Sequence, residues 1–172
     1  LMYFGGINGY NAFYFENIKD NPYPPKVSLT DFRIFNQTID KNEAPLNNRV
    51  ISSTDKITLT HHDYVFSFEF AALHFAQPKK NRYAYKMEGF DKEWIEFGNK
   101  RFVTYTNMPA GNYTFKVKAA SSDNVWSETA VNLEVDILPP FWETWFFRIG
   151  VAVLLIAIVI IGYKVRVRSI KA

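Results

Sequence analysis

The chain has 172 residues, 48% of them hydrophobic, with 20 Lys and Arg against 17 Asp and Glu, a net charge of +3 and no cysteine. Without cysteine, neither a disulfide scaffold nor a thiolate metal site can hold it together, so a packed core must. The charge is unevenly placed: residues 1–147 carry 15 Lys and Arg against 17 Asp and Glu, a net −2, which argues against a nucleic-acid surface there and reserves the basic excess for anionic lipid headgroups at the far end.

The opening LMYFGGINGYNAFYF reads as two short strands around a Gly/Asn turn. Two strands are too few for an independent domain, so the sequence is read as part of a longer chain. FGGINGYNAF resembles the repeat of the two-component-regulator β-propellers, in which an F/G-G-x-N-G-L-x-x-F pattern closes each blade; Tyr10 stands where the leucine is usual. Residues 1–18 are therefore expected to be the remnant of a last propeller blade, although a plain hairpin turning at Asn8-Gly9 accounts for the same residues. The polar, proline-rich KDNPYPPK of residues 19–26 follows as a stiff linker.

Seven strand-like stretches occupy residues 27–138. Val27 and Leu29, then Phe32 and Ile34, alternate with polar residues but change parity at Asp31, which predicts a bulge. Ile57 and Leu59 mark the second stretch, Tyr64, Phe66, Phe68 and Phe70 the third, Tyr83, Tyr85 and Met87 the fourth, and Val103 and Tyr105 the fifth. Tyr113, Phe115, Val117 and Ala119 mark the sixth, and Val131, Leu133, Val135 and Ile137 the seventh. The alternate positions carry Arg82, Lys86, Glu88, Lys116, Lys118, Asn132, Glu134 and Asp136. A period of two with one wet face predicts antiparallel sheets packed face to face, hence an all-β, immunoglobulin or fibronectin type III-like sandwich.

NRYAYKMEGFDKEW and RFVTYTNMPAGNYTFKVKAASSDNVWS resemble the three-tyrosine, or Y_Y_Y, domain that follows the propeller in extracytoplasmic sensors of hybrid two-component systems. The pattern Y-x-Y-x-L-x-G-x-D-x-x-W falls on Tyr83, Tyr85, Met87, Gly89, Asp91 and Trp94. G-x-Y-x-F-x-V-x-A falls on Gly111, Tyr113, Phe115, Val117 and Ala119, and the late tryptophan is Trp126. Met87 replaces a leucine, and Asn124 stands where glycine is common. These signature residues are read as structural. Tyr83 and Tyr85 should enter the core with their hydroxyls at its margin, and Tyr113 should be buried opposite them. Trp94 and Trp126 should plug the core's ends, and Gly89 and Gly111 should serve turns of positive φ. A sugar-stacking role for the aromatic rings is the alternative, and inward parity argues against it.

Other chemistry is thin. His61, His62 and His74 are the only histidines, and neighbours on a strand point to opposite faces, so His61 and His62 are read as surface or strand-edge residues and not as a metal site. Asp91, Glu93 and Glu96 are read as decorating a turn. Asn36-Gln37-Thr38 and Asn112-Tyr113-Thr114 match the glycosylation sequon, a triplet that arises easily by chance. There is no glycine-rich phosphate loop, nucleophile elbow or kinase motif, so no catalytic residue, metal or cofactor is expected.

Ile149 to Tyr163 are fifteen residues without a charge, and only Arg148 interrupts the stretch back to Trp145. That length fits one membrane crossing, with Arg148 able to snorkel. Trp142 and Trp145 before it and Tyr163 after it occupy the interfacial positions, and Lys164, Arg166, Arg168 and Lys171 follow, which places the C-terminus in the cytoplasm. A buried core helix is the alternative, but nothing upstream supplies partner helices.

The resulting division is a blade remnant 1–18, a linker 19–26, a Y_Y_Y sandwich 27–138, a Pro/aromatic junction 139–145, a single transmembrane helix 146–164 and a cytoplasmic juxtamembrane basic segment 165–172. Leu138, Pro139 and Pro140 should hold the junction extended, leaving little slack between sandwich and helix. The resemblance implies an inner-membrane, single-pass sensor with a periplasmic exterior. In it an upstream propeller binds an oligosaccharide, and a homodimer relays the event to a cytoplasmic histidine kinase. A membrane-anchored adhesion module whose sandwich itself touches carbohydrate or protein is the other reading.

Overall fold

A computed structural model describes residues 1–17, 23–75 and 77–171. Ile18 and half of the expected linker, residues 19–22, lie outside the described residues. The first two strands, β1 (Met2–Gly6) and β2 (Gly9–Phe13), form an antiparallel hairpin that turns at Ile7-Asn8; Gly9, expected in the turn with Asn8, opens β2 and pairs with Gly6. Gly9 has φ +139°, which suits glycine.

Nine further strands make the sandwich: β3 (Val27–Ile34), β4 (Gln37–Thr38), β5 (Lys56–Leu59), β6 (Val65–Ala72), β7 (Arg82–Glu88), β8 (Ile95–Gly98), β9 (Phe102–Thr106), β10 (Gly111–Ala120) and β11 (Val131–Ile137). They form a five-stranded sheet in the order β5-β11-β10-β7-β8 and a four-stranded sheet in the order β4-β3-β6-β9. All seven expected strands are present. The short β4 and β8 were not foreseen: β4 has only two residues, and the alternation in β8 is confined to Ile95, Glu96 and Phe97. A second departure is the pairing of β5 with β11, which is parallel where antiparallel sheets were expected. The chain changes sheets between β4 and β5 through a segment pinned by buried Leu46 and Ile51, and it enters the second sheet alongside β11 in the same direction.

The parity change in the first strand is a bulge. Leu29 pairs with Phe70 and Asp31 with Glu69, leaving Thr30 unpaired and exposed, so both Leu29 and Phe32 reach the core. From the four-stranded sheet the core takes Leu29, Phe32, Phe66, Phe68, Phe70, Val103 and Tyr105. From the other it takes Ile57, Leu59, Tyr83, Tyr85, Met87, Phe115, Val117, Leu133 and Val135, all buried. At its centre Phe68 and Phe115 stack across the sheets with ring centroids 4.5 Å apart. Tyr64, on the alternating pattern of β6, lies just before the strand and is exposed.

The tyrosine signature divides three ways. Tyr83 is fully buried, and its hydroxyl lies within the core, where it accepts the Ala72 backbone N–H at 3.1 Å. On that edge of β6 the Phe70 N–H donates to Arg101 O, and two residues further on β9 is absent, so the phenol replaces the missing strand. Tyr85 is buried as expected. Tyr113 is not opposite them: it sits on β10, the neighbour of β7 in the same sheet, and is half-buried. Its hydroxyl donates to Pro109 O at 3.0 Å, and its ring covers two glycines. A Cβ on Gly89 would come 3.0 Å from the Tyr113 ring, and one on Gly111 would come 3.3 Å from its hydroxyl. This is the tyrosine corner of immunoglobulin-like domains. Gly89 also has φ +91°, whereas Gly111 has no positive φ, so close approach of the ring is what demands glycine there. Asn124, at the position where glycine is common, takes φ +64°, which asparagine tolerates better than most residues.

Trp94 and Trp126 do not plug the core. Lys118 projects from the outer face of β10 with its ammonium 4.4 Å from the Trp94 ring centroid and 5.2 Å from that of Trp126, and Arg82 lies 5.7 Å over Trp126. The ladder runs over the wet face, where Ala84 is nevertheless buried. Trp94 is thus covered by one cation and Trp126 by two.

Asp91 latches the two sheets together. In the β7–β8 turn its Oδ2 accepts the Met87 N–H at 2.7 Å and the hydroxyl of Tyr105, from the other sheet, at 2.9 Å. Burial first, then this hydrogen bond and the carboxylate's charge, push the Tyr105 phenol above its usual range; burial and Asp91 raise Tyr85 as well. Folded-state values above the unfolded tyrosine value of about 10 mean that the unfolded chain loses these protons first. Their stabilising contribution is therefore complete below about pH 10 and declines as pH rises beyond it. Denaturant midpoints measured from pH 8 to 11 should fall above pH 10 in the native chain and fall less steeply in Tyr105→Phe. Parallel pH profiles would exclude this linkage.

The last element, α1 (Trp145–Lys171), is one continuous helix. Its apolar part, Trp145–Lys164, is 20 residues long with none of that window buried. At 1.5 Å per residue it spans about 30 Å, the thickness of bilayer hydrocarbon, and its exposure is not that of a core helix. The basic residues expected to follow as a separate segment continue the same helix.

Candidate functional site

Among the described residues no group of three or more His, Asp or Glu could hold a metal ion. The unusual feature is the place where the sandwich meets α1. Strand β11 ends at Ile137, but the Leu138 N–H still donates to Leu59 O at 2.9 Å, so pairing with β5 continues one residue past the strand. An ion pair from Lys56 to Asp136, 2.6 Å long, joins the same two strands. Pro139 and Pro140 follow, Pro140 with φ −64° and ψ 150°. The expected extended conformation holds only to Pro140. Phe141–Glu143 form a single 3-10 turn, Glu143 N–H donating to Pro140 O and Thr144 N–H to Phe141 O. Thr144 leaves the turn at φ −68° and ψ 144°, its hydroxyl donates to Phe141 O at 2.6 Å, and its carbonyl accepts the Arg148 N–H. It both ends the 3-10 turn and begins the helix.

A second connection runs beside this backbone. β5 leads into the turn Thr60–Asp63, closed by the Asp63 N–H to Thr60 O and locked by Asp63 Oδ2, which accepts both the Thr60 N–H at 2.8 Å and its hydroxyl at 2.7 Å. The turn presents His61 and His62 together, ring centroids 3.9 Å apart. The two were expected on opposite faces of a strand; they lie in a turn, where that alternation does not apply. His61 meets Trp142 edge to face at 5.1 Å, Trp142 meets Phe141 at 4.9 Å, and Phe141 meets Phe147 of the first helical turn at 5.5 Å. The His61 Nε2 is buried without a hydrogen-bond partner.

Of the expected interfacial residues, Trp142 is thus engaged with the sandwich, while Trp145, Arg148, Tyr163, Lys164 and Arg166 are exposed on α1; the side chain of Arg168 is outside the described part. Phe141 and Thr144 were not singled out from the sequence, and His61 was read there only as a surface or strand-edge residue. The aromatic and proline residues hinted at a stiff junction, but the proximity of the His61 turn follows from the β5–β11 pairing, which no local pattern encodes.

The Y_Y_Y domain family matches residues 74–138. This segment is a Y_Y_Y domain. The match starts between β6 and β7 and holds the signature residues, while the sandwich to which the Y_Y_Y domain belongs also needs β3–β6. Histidine kinase P4 of Formosa agariphila is 36% identical over 146 residues, covering 84% of this chain and 11% of that protein. Two structures of the extracellular domain of BT4673 from B. thetaiotaomicron, described as a one component and as a hybrid two component system, are 30% identical. They cover 81% of this chain and 19% of theirs, with TM-scores of 0.62 and 0.61. The extracellular domain of BT3049 from the same organism, described as a hybrid two component system, is 29% identical with a TM-score of 0.59, covering 80% of this chain and 18% of its own. The chain therefore spans a small part of each relative, and the solved parts it matches are extracellular domains and not catalytic ones.

Proposed function

We propose that this chain is the transmission module of a membrane-anchored two-component sensor. An oligosaccharide bound mainly by an upstream propeller, whose last blade would include the β1–β2 hairpin, changes the spacing or angle of paired sandwiches. The paired α1 helices carry that change to a cytoplasmic kinase. The exterior is periplasmic, the helix crosses the inner membrane once, and the basic end from Lys164 onward lies in the cytoplasm. The hairpin supports the propeller connection, since Tyr3, Phe4 and Tyr10 are exposed and two strands cannot stand alone. The observation that carries the proposal is the junction: a pairing that continues to Leu138, two prolines and a 3-10 turn lead straight into the helix. Adhesion requires only attachment and has no need of such a connection, whereas transmission requires that both ends differ in energy between two states.

Four Gly/Ser residues inserted between Leu138 and Pro139 should leave binding intact and abolish most of the response. The measurement is transcription from the receptor's target promoter in cells grown on a panel of polysaccharides, with calorimetric titration of the inducing polysaccharide into the soluble exterior. Induction at the native level by the inserted receptor would reject rigid transmission and favour the adhesion reading.

A further inference from the structure

The backbone of the junction does not by itself determine the direction of α1. Proline fixes φ and holds the ψ of the residue before it extended, so Leu138 and Pro139 are restrained, but rotation remains about ψ of Pro140 and at Thr144, where the 3-10 turn gives way to the helix. The aromatic series bridges these points. His61–Trp142 spans the prolines from the sandwich side, and Phe141–Phe147 spans Thr144 to the helix. Its base is firm, because the Asp63 carboxylate holds both donors of Thr60 and the turn grows directly from β5.

We propose that His61 is the positioning residue of the relay: its edge-to-face contact with Trp142 sets the angle at which α1 leaves the sandwich, and displacement of the Thr60–Asp63 turn reaches the helix through that contact. The contact is the switchable part of the junction and the Leu138–Leu59 hydrogen bond the fixed part. His61 lies outside the hydrophobic core, so its removal should loosen the angle without unfolding the sandwich. A single aromatic pair is worth a modest free energy, so its loss should raise the undocked population by about 2- to 10-fold. That is a suitable range for an element that must move. The inference rests on the transmission reading, and its test separates the two.

The absence of cysteine allows two spin labels to be placed on cysteines at Asn132, exposed on β11, and Val153, on α1. Double electron–electron resonance on chain 1–172 in phospholipid nanodiscs then reads the sandwich-to-helix distance distribution. The native distribution should be narrow, His61→Ala and Trp142→Ala should widen it, and His61→Phe, which restores a ring edge, should narrow it again, all with unchanged thermal midpoints. If the Gly/Ser insertion widens the distribution and His61→Ala does not, the positioning role is wrong and the rigid junction stands. If neither widens it, both ideas fail. Equal widening by His61→Phe and His61→Ala would also overturn the proposal, because the ring contact would then not be the cause.

Discussion

Phe115→Ala is expected to destabilise the sandwich by about 3–5 kcal/mol, as truncation of a fully buried aromatic does. Phe115 has no exposed surface and contacts rings from both sheets: Phe68 at 4.5 Å, Tyr105 at 6.3 Å, and Phe70 and Tyr85 at 6.4 Å. The cavity would open at the centre, where neighbours are already fixed in two hydrogen-bonded sheets and can collapse little. Against a total stability of about 5–15 kcal/mol for a domain, this is a large fraction. Urea unfolding of the detergent-solubilised chain, followed by circular dichroism, should show the loss. Phe102→Ala on β9, whose side chain is 57% exposed, should cost under about 1 kcal/mol. Equal effects at the two positions would mean that the core is not centred on Phe115.

Asp91→Ala should cost about 2–5 kcal/mol, nearly as much, although it removes no apolar contact. It strands two donors, the Met87 N–H and the Tyr105 hydroxyl, and an unsatisfied partly buried donor costs about 1–3 kcal/mol. The cost should shrink when the stranded partner is also removed: Asp91→Ala with Tyr105→Phe should be less destabilised than the sum of the single changes by about 1 kcal/mol or more. Strict additivity in that double-mutant cycle would show that the carboxylate and phenol do not act as a latch. A cost below about 0.5 kcal/mol for the single change would assign Asp91 to the ordinary surface.

Local patterns were enough to read much of this molecule. Alternation in β6, β7, β10 and β11 names the inward residues because a strand's side chains change faces at every step. The parity change near Asp31 announces the bulge by the same rule. Gly89 before Asp91 marks the β7–β8 turn, and an uncharged stretch after Arg148 can only be a long apolar helix. The signature spacing reaches further, since a Y_Y_Y domain is recognisable from tyrosines, glycines and tryptophans without knowing what each one touches.

What each one touches was decided by tertiary structure. Alternation tells which face a residue occupies but not which strand lies beside it, and so Tyr113 could be taken for a core residue opposite Tyr83 when it closes a corner in the same sheet. Trp94 and Trp126 are apolar enough to be assigned to the core, yet the core was already filled by phenylalanines and Lys118 offered them a favourable place outside it. The junction is the clearest case. Sequence established that a proline-rich, aromatic segment joins sheet to helix, because composition and spacing are local properties. That His61 stands against Trp142, with more than seventy residues between them in the chain, depends on β5 pairing in parallel with β11, and backbone hydrogen bonds formed at such a distance leave no mark on the order of the side chains.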